Sequence, residues 1–479
     1  MEEKYMKSKK IIMITMCCLI CVMAIGYAAF ATNLTINGTA NITSTWKVLF
    51  TKIEEVSKTS GVTITKVPTA EGTNATFNVD LKSPGDKIIY KITVANQGTL
   101  DAIINDITAS ETGSDAIKFE ISGIKKGDKL AKSATTTFNV TISYDSSVTS
   151  QPKTTNNTLT VNINYVQDLG QTITSEDVVI EKLTLASQIL KDNNAQADTN
   201  IDFSQINSDT NGKGLYYTST NTEDNKITYY FRGAVENNYV SFSNNTWRIV
   251  RINEDGSVRL IKQDSIGDSA FNNNHDDAAY VGYMYGTPGS TTYEATHANI
   301  NSSTIKTMLD TWYQNNLTNY SSLIADSGFC GDRSLSSGTG TGKTGTDYGA
   351  RGRLSDNKTP QFKCPQTNDL YTTATATKGN KALTYPIGLI TADEVAYAGG
   401  VSGTTNNNYY LVNNEPFRTI SPDASYSYAY VWSVNPGSLD VFAVGYGSGV
   451  RPVINLKSTA EIIDGGNGTL NNPYVIKVN

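Results

Sequence analysis

Between Leu34 and Val166, apolar and polar residues alternate with a period of two. Ala75, Phe77, Val79 and Leu81 are separated by Thr76, Asn78 and Asp80, and Ile88, Tyr90, Ile92 and Val94 repeat the spacing. Phe138, Val140, Ile142 and Tyr144 form a third run, and Leu159, Val161, Ile163 and Tyr165 a fourth. Successive side chains of a strand point to opposite faces, so strict alternation means one face buried and one wet. That predicts antiparallel strands packed as a β-sandwich. Turn residues punctuate the runs, with Ser83-Pro84-Gly85-Asp86 before one strand and Asn96-Gln97-Gly98-Thr99 after it.

The period then changes. From Ser175 to Asn194 the spacing is helical, with Val179, Leu183, Ala186 and Leu190 on one face and Asp177 near the positive end of the helix dipole. Further on, strand and helix signals mix. Asp255-Gly256 between apolar runs predicts a hairpin turn, because glycine accepts the positive φ that a tight turn needs. Ile305, Met308, Leu309 and Trp312 predict a helix over Ser302 to Leu317, and Thr391 with Glu394 forms a capping box ended by Gly399-Gly400. From Phe417 to Asn479 short apolar runs alternate with glycine turns. The expected division is residues 1–31 as an export segment, 32–167 as a sandwich, 168–200 as a helical connector and 201–479 as a mixed α+β domain.

Composition narrows the setting. In 479 residues the charged fraction is only 18% and the formal net charge is -6, with no basic run beyond the first ten residues. A nucleic-acid footprint is therefore missing, and that partner class is excluded. Residues Ile11 to Ala31 are apolar apart from Thr15 and follow Lys9-Lys10, which reads as an export signal. Ala29-Phe30-Ala31 fits a cleavage site, while the length of the run also suits a retained single-pass anchor; this is the only membrane contact expected. Both readings place the rest of the chain outside the cell.

The candidate chemistry is sparse. Two histidines, His275 and His297, lie in different segments and cannot supply a multi-histidine metal centre. Cys330 and Cys364 are the only cysteines beyond the leader, so in an oxidising compartment they should pair and staple the glycine-rich segment between them. Within that segment GTGTGKT ends like a phosphate loop, but the position that needs the first glycine is Ser337. In GYGSGV the residue two before Ser448 is Tyr446, so the hydrolase elbow is not met. Asn207, Asp209, Asn211 and Gly212 begin like an EF-hand loop, yet its closing glutamate position is Thr218. No cofactor, metal site or catalytic set is expected. Tyr426, Tyr428, Tyr430 and Trp432 are spaced by two, opposite Ser427, Ala429, Val431 and Ser433. On a strand the four share one face. Either they face solvent and stack on sugar rings or grip a protein, or they are core and the small residues face out.

Three resemblances add to this reading. GYAAFATNLTINGTANI resembles the leader and first strand of TasA/camelysin-like exported proteins, which implies export and a β-rich start; the zinc ligands of that group are not matched here. SPGDKIIYKITVANQGTLDA resembles Ig-like repeats of bacterial surface proteins. FCGDRS, FKCPQTNDLYT, YPIGLITADEVAYAGG, YVWSVN, GVRPVINL and GGNGTLNNPYVI together look like a domain of unknown function from surface proteins of Gram-positive gut bacteria, with a C-type-lectin-like ending. The resemblance implies a mixed α+β ligand-display fold; with the export signal and the aromatic stripe it leads to a lectin-like module presented to a glycan or protein, with Tyr426, Tyr428, Tyr430 and Trp432, nominated by their spacing, as candidate ligand-binding residues. The alternative it leaves open is a self-associating fibre or matrix subunit; a hydrolase with paired carboxylates is a third, for which no residues stand out.

Overall fold

The computed structural model describes residues 44–152, 155–208, 210–413, 415–463 and 466–478. The export segment, the TasA-like first strand and Asp209 of the EF-hand-like run lie outside the described residues. Among the described residues no helix is long and apolar enough to cross a membrane.

The alternating runs form strands where expected. Lys87–Asn96 pairs antiparallel with Val48–Lys58 on one side and Thr135–Tyr144 on the other, and Ile117–Ser122 closes that sheet. A second sheet is built on Ala102–Gly113, which pairs antiparallel with Asn157–Gln167. Val62–Glu71 and Asn74–Leu81 form a separate hairpin. Ile88, Tyr90, Ile92 and Phe138 of the first sheet share one buried cluster with Ala102 and Ile104 of the second. The alternating apolar residues are therefore what the two sheets enclose.

The helical reading of 175–194 is corrected. The helix spans only Leu185–Asp192, capped by Thr184, rather than starting at Ser175, and it buries Leu185, Gln188 and Ile189. Val179 is 71% exposed and Leu190 stands at the surface. The cause is that Ile180–Lys182 is captured as a short strand, parallel to Ala109, Ser110 and Glu111 of the sandwich. Extended backbone there leaves helix formation to start at Leu185, three residues after the strand ends.

That strand opens a junction with the rest of the chain. Leu183 N donates to Glu111 O at 2.9 Å, Ile462 N donates to Leu183 O at 3.2 Å, and Thr112 Oγ1 donates to Ile462 O. Lys182 Nζ reaches Glu111 at 2.6 Å and Asp115 at 2.9 Å, while the buried Lys477 Nζ reaches Asp115 at 3.1 Å and Glu461 at 2.8 Å.

Beyond the junction, two larger sheets enclose a second core. One contains Asn245–Ile252 and Val258–Lys262, joined through Asp255-Gly256 with Gly256 at φ 78°, and Val453–Leu456 beside them. The other is centred on Phe417–Ser425 and Ala429–Asn435, with Ser438–Ala443 at its edge. The helix Thr304–Asn316, capped by Ser303, buries Ile305 and Leu309, with Met308 and Trp312 half-buried against the same core. The capping box of Thr391 and Glu394 is formed, and Gly399 at φ 130° ends that helix. The chain is β-rich with several antiparallel sheets, and Cys330 is bonded to Cys364.

Candidate functional site

The four aromatic residues do not share a face. Phe417–Ser425 and Ala429–Asn435 are consecutive strands closed by the Ser425–Ala429 pair, and Tyr426, Ser427 and Tyr428 form the bend between them. The bend takes the first two tyrosines out of the strand: Tyr426 is 43% exposed and Tyr428 47%. Tyr430 is half-buried and Trp432 is only 1% exposed. Val431 and Ser433, opposite Trp432 in parity, are buried as well, because this strand pair is covered on both sides. Two of the four residues are surface, Tyr430 is intermediate and only Trp432 is core.

The exposed half is held in place from below. The Tyr428 ring meets His275 edge-on at 4.7 Å, and Ala429 N donates to His275 O at 2.7 Å. Gly445 makes room for this arrangement, since a Cβ there would sit 2.9 Å from His275 Cδ2. Tyr426 Oη donates to the Asp347 carboxylate, and its ring lies over Gly345, where a Cβ would be 3.5 Å from the ring. Burial pushes Asp347 up, but hydrogen bonds from Tyr426 and Ser337 and the charge of Arg351 outweigh it and hold the carboxyl below its ordinary range. Arg351 bridges Asp347 at 3.3 Å and Asp423 at 2.9 Å. Asp423 is buried, its Oδ1 has no hydrogen-bond partner, and burial raises its carboxyl to about 6 despite Arg351.

Two further aromatic side chains flank this bend. Val444 N donates to Ala429 O at 3.0 Å, which brings the 442–446 turn alongside. There Tyr446 is 68% exposed and Phe442 stands at the surface. The turn is clamped by the buried Arg418, which donates to Phe442 O at 3.3 Å, Ala443 O at 3.0 Å and Tyr446 O at 2.6 Å. Burial alone draws that guanidinium down to about 10. Phe442 and Tyr446 were not read from the sequence; the signal was the GYGSG turn next to the strand that carries the stripe. The whole edge offers fixed phenol rings with polar rims, a chemistry suited to stacking on sugar rings or apolar side chains while hydrogen-bonding at the margin.

The other sequence candidates are distributed as follows. His297 is fully buried between Tyr293 at 4.4 Å and Tyr348 at 5.9 Å, and burial with Arg333 nearby brings its imidazole down to about 3, so it is neutral. Lys343 of the glycine-rich run pairs with Asp276 at 2.9 Å. Asn207 donates to Asn408 O, and Asn211 caps Asp202 N while donating to three carbonyls, so Asn211 is committed to a local turn and Asn207 to the distant 406–408 segment. Ser448 is buried in a short strand paired with Asp268–Ala270. No group of three or more histidine, cysteine or carboxylate ligands that could hold a metal occurs among the described residues. Compared with known proteins, the chain matches no family model, no curated protein and no solved structure.

Proposed function

We propose that the chain is an exported surface protein whose Ig-like sandwich carries a lectin-like module, and that the module binds a glycan or a protein without catalysing a reaction. The observation that carries this reading is the exposed aromatic edge of Tyr426, Tyr428 and Tyr446 at the end of an otherwise buried strand pair. Tyrosines left at the surface by chance would be free to rotate; Tyr426 and Tyr428 are braced by Asp347 and His275. Bracing before contact reduces the entropy lost on binding, which is the mark of a surface that meets a ligand. The export signal and the sandwich pattern of the sequence support presentation outside the cell.

A glycan array and a pull-down from host-surface proteins, run with the wild type and with Tyr428→Ala, test the reading. Removal of a central aromatic contact should weaken binding by at least tenfold, corresponding to the 1–2 kcal/mol or more typical of interface anchors. An unchanged signal for Tyr428→Ala and for Tyr426→Ala would remove this edge from the binding surface.

A further inference from the structure

A separate cleft lies beside the disulfide. It has a volume of about 300 Å³, and the Cys330–Cys364 bond fastens two of its walls, the segments 326–332 and 361–364, to each other. Two buried guanidiniums, Arg251 and Arg259, form its floor. Both reach the same oxygen of Glu394, Arg251 Nε at 3.0 Å and Arg259 Nε at 2.8 Å, and Glu254 gives Arg251 a second counter-charge. The remaining contacts use Nη1: Arg251 to Glu254 at 3.4 Å, Arg259 to Gly328 O at 2.9 Å and Asn455 Oδ1 at 3.4 Å. Neither Nη2 has a partner among the described residues. Burial draws Arg259 down to about 10, with Arg251 adding to it and Glu394 opposing. Buried guanidinium edges left open on a cavity are costly unless a ligand or water meets them.

The walls carry a different chemistry. Asp255 accepts from Ser257 N and Oγ, Asp326 from Thr373 N, and Glu223 from Cys364 N, and none of the three takes part in an ion pair. Asp326 is filled by Thr373 and Thr375, while Glu223 and Asp255, the latter also accepting from Ser327, keep acceptor capacity that suits hydroxyl groups and opposes an anion. At the lip, Lys226 and Lys363 are exposed; their charges act on the Asp224 carboxylate, and neither side chain forms a hydrogen bond or ion pair among the described residues. A ligand that satisfies floor and walls together has one anionic group to meet the guanidiniums and a ring of hydroxyls to meet the carboxylates. The volume is at the lower end for ligand pockets and accommodates a single small ring.

The geometry points to this cleft as a binding site for an anionic sugar residue, one carboxylate or sulfate on a polyhydroxylated ring, distinct from the tyrosine edge. The inference does not depend on that edge, and its variants leave Tyr426 and Tyr428 intact.

Calorimetric titration of the described chain with glucuronate, glucose 6-sulfate, glucose and acetate tests it. At least one anionic sugar should bind tenfold or more tightly than glucose and than acetate, and its affinity should fall as salt rises. Binding of glucuronate alone identifies a carboxylate site, and binding of the sulfate ester alone a sulfate site. The double variant Lys226→Ala with Lys363→Ala removes two exposed lysines whose side chains form no hydrogen bond or ion pair among the described residues, and should weaken binding at least threefold with the melting temperature shifted by no more than a degree or two. Glucose or acetate binding as tightly as both anionic sugars overturns the inference. So does unaltered affinity in the lysine variant, or no heat with either anionic sugar at tens of millimolar.

Discussion

Asp423 shows how one side chain couples the aromatic edge to acidity. Its carboxyl is buried, has one oxygen without a hydrogen-bond donor, and titrates near 6 where an ordinary aspartate titrates at 3.8. The folded state therefore binds this proton more tightly than the unfolded state. The charged form costs stability above pH 6, and the cost disappears as pH falls from about 6 towards 4. Asp423→Asn removes the charge but keeps the shape, while Arg351 retains Asp347. The variant should melt higher than the wild type at pH 7, by an amount equivalent to about 1–3 kcal/mol, and the difference should close by pH 4. Thermal melts across that range check it, and a difference that grows on acidification would refute the assignment. Nothing in the sequence marks Asp423 out among the 45 acidic residues. Its character comes from Arg351, 72 positions away, and from the layers that bury it.

At the scale of elements, what was legible followed local rules, and what was not depended on partners. The capping box of Thr391 and Glu394 needs only neighbours three residues apart, and it formed as read. The Asp255-Gly256 hairpin and the Thr304–Asn316 helix likewise rest on short-range chemistry. The helix after the sandwich was misplaced because Ile180–Lys182 found a strand to pair with, a contact with residues 109–111 that no periodicity reveals. The aromatic stripe was half right for a similar reason. Alternation assumes one covered face, whereas this strand pair is covered on both faces and bends at Tyr426–Tyr428. The exposed part of the site was therefore visible in the sequence as a pattern, but its extent was not, and Phe442, Tyr446 and the clamp at Arg418 were missed. The capping box also carries an element-scale prediction. Glu394 does two tasks, closing the cap and neutralising Arg251 and Arg259. Thr391→Ala loses only the cap and should cost about 1 kcal/mol in a denaturant titration. Glu394→Gln leaves the buried Arg259 without a counter-charge, Arg251 keeping only Glu254, and should cost several-fold more.

For the whole molecule, the junction around Lys182 and Lys477 has an effect that neither core has alone. The second core is completed late in the chain, by Val453–Leu456 and by the Ile462–Ile463 and Tyr474–Ile476 strands, and the same late segment supplies Ile462 O and Lys477 to the sandwich. The chain thus returns to its earlier part only after the later part is assembled. Heating should register this as a single cooperative transition in a scanning calorimeter, whereas two cores joined by a loose tether would melt in two steps. Lys182→Ala with Lys477→Ala, which removes the ionic half of the contact, should split the peak. In mechanical terms, the three-residue strand at Ile180–Lys182 and the carbonyl of Ile462 lie in the load path between the two halves. Tension drawn through the chain would be resisted there first, by parallel backbone bonds pulled lengthwise, so the junction sets the force at which the aromatic edge stops being held rigidly to the sandwich.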